Sequence, residues 1–451
     1  MNKSMEEKRS HPRVKTALKL SVLDRISADA ANISEGGLSF NATETISSPR
    51  ITLHVQFPGK EFELKAGARL VWQRDILSGG SSYGVEFIQL EEAQKAALRK
   101  ALIKAQIKGL LDEVNDEKAK EDITRFFLKD LLEYTFEIGR LITQMAKQEA
   151  YSSEIEASFT HLNNQILLKG YCLEEIIENE SVTGKNKDLF RFLVGTWAYK
   201  SPILKKAFEQ SRGYPGDYEM LETIYDNSPI ARGGIALCFD KYFLSSPYAV
   251  AVRSRKDKLR EIIQAEVRNS PQGGSGIKIL NIACGSCREL RELPSEIFTG
   301  KNVSLICLDA DLQALEFSKQ ALKGALSSAK INFIHRDIKE LIKEADLNLF
   351  EKQDIAYSPG FIDYLPDKAL KAFVEYFYAC LKERGKLILT HKNKEKTFSL
   401  LSPDWFCNWK FVERSKDEVV HLFYDSGIKK FSLSVESDAF NDIYYYTITR
   451  I

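Results

Sequence analysis

The residues of this chain most able to do chemistry are Asn281-Ile-Ala-Cys-Gly-Ser-Cys-Arg-Glu289. They follow an apolar run, Ile277 to Leu280, that reads as a buried strand. Behind them, Arg288 to Ile297 reads as a helix start. A strand that turns into a helix through small residues lets a ligand approach the backbone closely. It also aims the free N–H groups of the helix N-terminus at that ligand. A second apolar run, Val303 to Leu308, ends on Asp309. An acid roughly 20 residues beyond such a turn suits the two hydroxyls of a ribose. A third position, Asp337, follows the run Ile331 to Arg336.

The turn narrows the choice of ligand. A dinucleotide site asks for G-x-G-x-x-G, and here Ala283, Gly285 and Cys287 supply one glycine of three, so a pyrophosphate would be poorly cradled. Cys284 and Cys287 form a C-x-x-C. Zinc would need two more ligands, and no second Cys pair exists, so no metal is expected. A redox pair is open on spacing alone. Acid or amide positions at successive strand ends resemble the S-adenosylmethionine (SAM) site of class I methyltransferases. The resemblance implies a cofactor site of Asn281, Ala283, Cys284, Gly285, Asp309, Ala310, Asp337, Ile338 and Ser358.

These residues need a sheet to hold them. Residues 271–451 alternate strand and helix: Ile355 to Ser358 reads as a fourth strand, and Lys386 to Thr390 as a fifth after the turn Lys382-Glu-Arg-Gly385. Phe431 to Val435 and Ile443 to Ile448 read as a terminal hairpin. The pattern predicts an α/β doubly wound sheet with an antiparallel edge. The stretch Pro271-Gln-Gly-Gly-Ser-Gly276 reads as a flexible joint into it.

The rest of the 451 residues divides in two, giving a multi-domain chain. Residues 93–270 read as a helical linker and cap. Within them Ile123, Phe127, Leu131, Tyr134, Ile138, Leu141 and Met145 step by fours and threes. That spacing fits a coiled-coil homodimer, but Phe126, Leu132, Phe136 and Ile142 widen the stripe and favour a helix packed within its own chain. Residues 1–92 read as all-β. Leu18 to Val22, Ile51 to Phe57, Phe62 to Ala66 and Tyr83 to Phe87 alternate apolar and polar between Gly, Pro and Ser clusters, as in short strands closing a small barrel. A formal charge of +1 gives no reason to expect nucleic acid. Met1 to Arg9 has no apolar core of a signal peptide, and no run of 18 apolar residues is present, so no membrane span is expected. Seven scattered cysteines, an odd number, fit a reducing cytoplasm.

Arg9-Ser-His-Pro-Arg13 sets two guanidiniums four residues apart before the first strand, and Asn32-Ile-Ser34-Glu-Gly-Gly37 follows at a tight turn. These resemble the R-x-x-x-R and [DN]-x-S-x-x-G signatures of the PilZ domain, and Tyr83 to Phe87 looks like its last strand. The resemblance implies a cyclic di-GMP site of Arg9, Arg13, Asn32, Ser34 and Gly37. The chemistry agrees: arginine is a planar fork that meets phosphate and guanine edges and stacks on purines.

Arg212-Gly-Tyr-Pro-Gly-Asp-Tyr-Glu-Met220 and Tyr357-Ser-Pro-Gly-Phe-Ile-Asp-Tyr364, with Asn281 to Glu289, resemble a bacterial methyltransferase family labelled 3-hydroxypalmitic acid methyl ester biosynthesis proteins. The resemblance implies a small-molecule acceptor with a carboxylate, such as a hydroxy fatty acid. A carboxylate is ionised at neutral pH and needs an orienting donor rather than a base. Arg212, Tyr214 and Tyr364 are the candidate donors, and His391 is the candidate base for other acceptors. The expected function is a cyclic di-GMP-responsive SAM-dependent methyltransferase. The alternative is a non-catalytic effector whose methyltransferase-like domain binds a protein.

Overall fold

Alternation near the N-terminus becomes a closed barrel. A computed structural model describes residues 14–23, 25–34, 36–57, 62–76, 79–148, 152–177, 179–270, 276–326, 329–345, 347 and 349–451. Six strands, β1 (Val14–Val22), β2 (Ile26–Ser34), β3 (Gly37–Ala42), β4 (Arg50–Gln56), β5 (Glu63–Asp75) and β6 (Ser81–Ile88), close in the order β1-β2-β3-β6-β5-β4. Every neighbouring pair is antiparallel. Apolar side chains on one face of each strand, among them Val22, Ile33, Phe40, Leu53 and Val55, fill the interior. Closure leaves no open edge to pair with another chain.

Helices Glu92–Leu111, Glu117–Arg125, Leu131–Gln148, Ser153–Ile176 and Glu180–Ala198 follow the barrel. The stripe from Ile123 to Leu141 is buried within the chain, as a bundle helix requires, and Met145 is half-buried. A π-helical segment, Phe126–Asp130, interrupts it and turns Phe126 inward beside Phe127. Phe136 is 63% exposed and does not widen the stripe. Tyr134 fixes one helix against another by donating to Asn163 Oδ1 at 3.0 Å. The barrel and these helices make one compact unit, through Lys200 and with Gly233–Cys238.

The second unit comprises Ser201–Arg232 and Phe239–Ile451. Its sheet is β7 (Ile277–Ile282), β8 (Val303–Asp309), β9 (Lys330–His335), β10 (Gln353–Ser358), β11 (Leu381–Lys392), β12 (Phe431–Ser437) and β13 (Ile443–Arg450). The order is β12-β13-β11-β10-β7-β8-β9. Strands β7 to β11 run parallel, and β13 lies antiparallel to both β11 and β12. Apolar clusters cover both faces, as a parallel sheet needs.

Two local expectations are corrected. The segment Lys382–Gly385 does not precede the fifth strand. It bulges within β11, where pairing jumps from Gln353↔Leu381 to Ile355↔Lys386 and Arg384 takes φ +60°. The helix expected from Arg288 to Ile297 is a single turn, Arg288–Arg291, followed by a 3-10 turn, Ser295–Phe298. Pro294 separates them because it has no N–H to carry the helix on. Among the described residues no helix is long and apolar enough to cross a membrane.

Candidate functional site

A cavity of about 980 Å³ opens at the C-terminal ends of the parallel strands. That is where open α/β sheets bind ligands, because loops there diverge around the switch in strand order. One wall carries Ala283, Gly285, Asp309, Ala310, Asp337 and Ile338. The other carries Tyr248, Arg255, Gly360, Tyr364, Lys392 and Trp409, and the loop with Arg212, Tyr214 and Gly216 closes over both.

The loop after β7 is unusual in its backbone. Ala283, Gly285 and Cys287 take φ of +53°, +52° and +50°. Two of these are not glycine, and such strain persists only where the surroundings enforce it. The enforcing contacts are visible. Gly285 N–H donates to Asp309 Oδ2 at 2.8 Å, and the Ser318 hydroxyl donates to the Gly285 carbonyl at 2.7 Å. Asp311 N–H donates to Asp309 Oδ1 at 2.9 Å. Asp309 therefore faces the cavity with its two oxygens anchored by backbone N–H groups of the loops on either side. Burial raises its pKa.

Behind the loop lies a second layer. Asn281 does not line the cavity. Its Nδ2 donates to Glu289 Oε1 at 2.9 Å, and Tyr357 O–H donates to the same oxygen at 2.7 Å. Burial, foremost, with Cys287 beside it, pushes the Glu289 carboxyl up to about 7. Ser358 also stays out of the cavity, donating to the Ile282 carbonyl at 2.9 Å and tying β10 to β7. Cys284 and Cys287 are buried and joined by Cys307 of β8, with the three sulfurs within 4.8 Å of one another. The C-x-x-C pair thus gains a third thiol that spacing along the chain did not reveal. Asp337 lines the cavity while capping the helix Ile338–Glu344 through Lys339 and Glu340 N–H.

The covering loop is held by charge. Arg212 donates to Asp311 Oδ2 at 2.9 Å and to Glu219 Oε1 at 2.9 Å, and its guanidinium lies 4.7 Å from the Tyr218 ring centre. Its outer N–H groups are taken up by carboxylates of its own chain. Tyr214 O–H reaches Asp311 Oδ2 at 3.4 Å. Gly216 sits at φ +72°, and a Cβ there would come within 2.7 Å of Trp409. Glycine is what lets this loop lie flat on the indole. Trp409 Nε1 in turn donates to Tyr364 Oη at 2.8 Å. The adjoining helix Tyr218–Asp226 is pinned by Glu222, which receives both Arg288 at 3.0 Å and Arg291 at 2.6 Å.

His391 is buried and lines no part of the cavity. Its Nδ1 lies 2.6 Å from the Lys392 carbonyl and its Nε2 3.2 Å from that of Val412, and burial lowers its pKa. The next residue, Lys392, does reach the cavity, with Nζ 4.0 Å above the Phe411 ring centre. Lys392, Arg255, Asp311 and Trp409 were not marked in the sequence. Asp311 alone carried a signal, as an N-cap acid two residues past a strand end.

In the barrel, Arg9 and Arg13 lie outside the described residues. Ser34 is buried and donates to the Gly37 carbonyl at 3.0 Å, which closes the β2–β3 turn beside Asn32. A Cβ on Gly37 would meet the Val85 carbonyl oxygen at 2.1 Å, so this approach of β3 to β6 admits only glycine.

Comparison with known proteins gives two matched regions. The PilZ domain family matches residues 7–104. A family described as "Putative methyltransferase" matches residues 210–441, just over half of the chain. Distant solved structures include a "possible exported protein" of Bordetella parapertussis, 15% identical over 75% of this chain and 99% of its own, at TM-score 0.42. Magnesium protoporphyrin IX methyltransferase of Synechocystis is 12% identical over 55% and 99%, at TM-score 0.36. The inhibitor of motility of Bacillus subtilis is 19% identical over 22% and 51%, at TM-score 0.21. No curated protein matches the chain. At these TM-scores the structural likenesses add no weight to the two family matches.

Proposed function

Because the chain belongs to this methyltransferase family and carries a PilZ domain, we propose that it is a cyclic di-GMP-responsive, SAM-dependent methyltransferase of a small molecule. The observation that carries this reading is the large cavity at the strand ends, with a ribose-type acid on one wall and an aromatic, cationic chamber opposite. The residues fit SAM: Asp309 offers lone pairs for the ribose hydroxyls, Gly285 and Ala283 leave the loop backbone open to approach, and Asp337 with Ile338 borders the adenine end. SAM would supply an activated methyl on a sulfonium. The protein's part is to align a nucleophile with that methyl and keep water out. The loop Arg212–Asp217 covers the cavity, Trp409 and Tyr364 wall the acceptor side, and no base is required if the acceptor is a carboxylate. In the barrel, Asn32, Ser34 and Gly37 frame the turn on which Arg9 and Arg13 would grip cyclic di-GMP.

The test is SAM affinity by titration calorimetry, then S-adenosylhomocysteine release with bacterial lipid extract as acceptor source. Micromolar-class binding with acceptor-dependent release is expected. Binding of cyclic di-GMP without any SAM binding would favour a non-catalytic effector instead.

A further inference from the structure

The acceptor side of the cavity holds more positive than negative charge. Arg255, from the helix Pro247–Asn269, and Lys392, at the end of β11, are both buried and both line it. The carboxylate that faces them, among the described residues, is Asp363. Lys392 Nζ donates to its Oδ2 at 2.6 Å, while an Arg255 terminal nitrogen is 3.7 Å from the same oxygen. Asp363 Oδ1 is already taken by the Lys392 backbone N–H at 3.0 Å. The remaining neighbours add no negative charge. Tyr225 and Tyr248 beside Arg255 are phenols raised by burial, and His391, 3.9 Å from Asp363, is held neutral by burial. Arg414, which also bears on His391, is matched by Asp367 at 2.7 Å.

Two cations and one anion leave one unit of positive charge in a buried floor. An uncompensated buried charge is costly, and folds keep one where a ligand completes it. Burial lowers Lys392 to about 8; Asp363 opposes that fall and the charge of Arg255 adds to it. The Arg255 Nε, moreover, is buried without a partner. We propose that Arg255 and Lys392 together hold the carboxylate of the methyl acceptor, with Asp363 fixing the pair in place; this rests on reading the cavity as a methyltransferase site. A carboxylate carries the single negative charge that restores neutrality, whereas a phosphate monoester approaches two. The ring of Tyr248, 5.5 Å from Lys392 Nζ, and the indole of Trp409 both line the cavity and suit an apolar body behind that head group. Arg212, nominated by the sequence for this role, has its terminal N–H groups on Asp311 and Glu219 instead.

The experiment uses the full-length protein with S-adenosylhomocysteine present, and decanoate and decanamide as probes read by tryptophan fluorescence. The two probes differ in charge and hardly in shape. Decanoate should bind saturably, and decanamide on the order of tenfold or more weaker. Lys392→Met should lose a similar factor, and Lys392→Arg should recover most of it. Affinity of the native protein for decanoate should fall as pH rises through about 8, where Lys392 loses its proton, and the Lys392→Arg protein should not follow that fall. SAM affinity, measured by calorimetry on each variant, reports whether the fold has survived. Equal binding of the two probes by the native protein, or unchanged decanoate binding by a Lys392→Met protein that still binds SAM, overturns the proposal. Lysine-dependent decanoate binding by a protein that binds no SAM would instead sustain the clamp and sink the methyltransferase reading.

Discussion

Replacing Glu289 by Gln should make the methyltransferase unit more stable at mildly alkaline pH and about 1 kcal/mol less stable in acid. Glu289 is buried, its Oε1 receives Tyr357 O–H at 2.7 Å and Asn281 Nδ2 at 2.9 Å, and its carboxyl is raised from 4.5 to about 7. An acid whose pKa is raised on folding binds its proton more tightly in the native state. Its contribution to stability is therefore complete below the unfolded value of 4.5 and is lost as pH climbs through about 7. At about 1.4 kcal/mol per pH unit, the loss across that window is about 3 kcal/mol. Glutamine keeps an acceptor oxygen for Tyr357 and Asn281 and has no charge to bury. A mismatch between its amide and the backbone N–H that the carboxylate accepts costs about 1 kcal/mol. The net gain over the native protein at about pH 8 is then about 2 kcal/mol, or a rise of roughly 4–8 °C in the relevant thermal transition. That transition is identified as the one raised by SAM in scanning calorimetry. Stability curves for the two proteins that run parallel from acid to alkaline pH would refute the reasoning, because they would mean that Glu289 titrates alike in both states.

Asp309→Ala should weaken SAM binding by about 1–3 kcal/mol in titration calorimetry, since charge-assisted bonds to the ribose go and Gly285 N–H loses its acceptor; unchanged affinity would mean the ribose lies elsewhere. Arg9→Ala and Arg13→Ala should each abolish measurable cyclic di-GMP binding and leave SAM binding intact, and retained nucleotide affinity in both would remove the sensor assignment. Cyclic di-GMP should shift methyl-transfer kinetics by a coupling free energy of about 1–3 kcal/mol, with Arg212–Met220 as the candidate moving segment. Turnover and SAM affinity that are the same with and without the nucleotide would show two domains merely tethered.

Periodicity determined the architecture from the sequence alone. Strict alternation over segments such as Ile51–Phe57 leaves one face apolar, and short strands with one apolar face bury it by closing on themselves. The run Ile277–Leu280 before Asn281, and the acids at Asp309 and Asp337, likewise placed one wall of the cavity, because the ends of parallel strands must lie side by side. The helix after the loop is shorter than its apolar spacing implies, because Pro294, three residues beyond Arg291, interrupts it and periodicity carries no sign of that break. The opposite wall was decided by tertiary packing. Arg255, Lys392 and Trp409 come from separate elements, and nothing local marks any of them. His391 and Lys392 show why. They are consecutive at the end of β11, and both side chains come to Asp363, with Lys392 Nζ at 2.6 Å and His391 Nε2 at 3.9 Å. Histidine was the residue whose type suggested chemistry, yet its ring sits against backbone carbonyls away from the cavity while its neighbour lines it. In a strand buried on both faces the sequence carries no polar–apolar alternation to say which side is which; that side was set by the loops and helices that pack above each strand end.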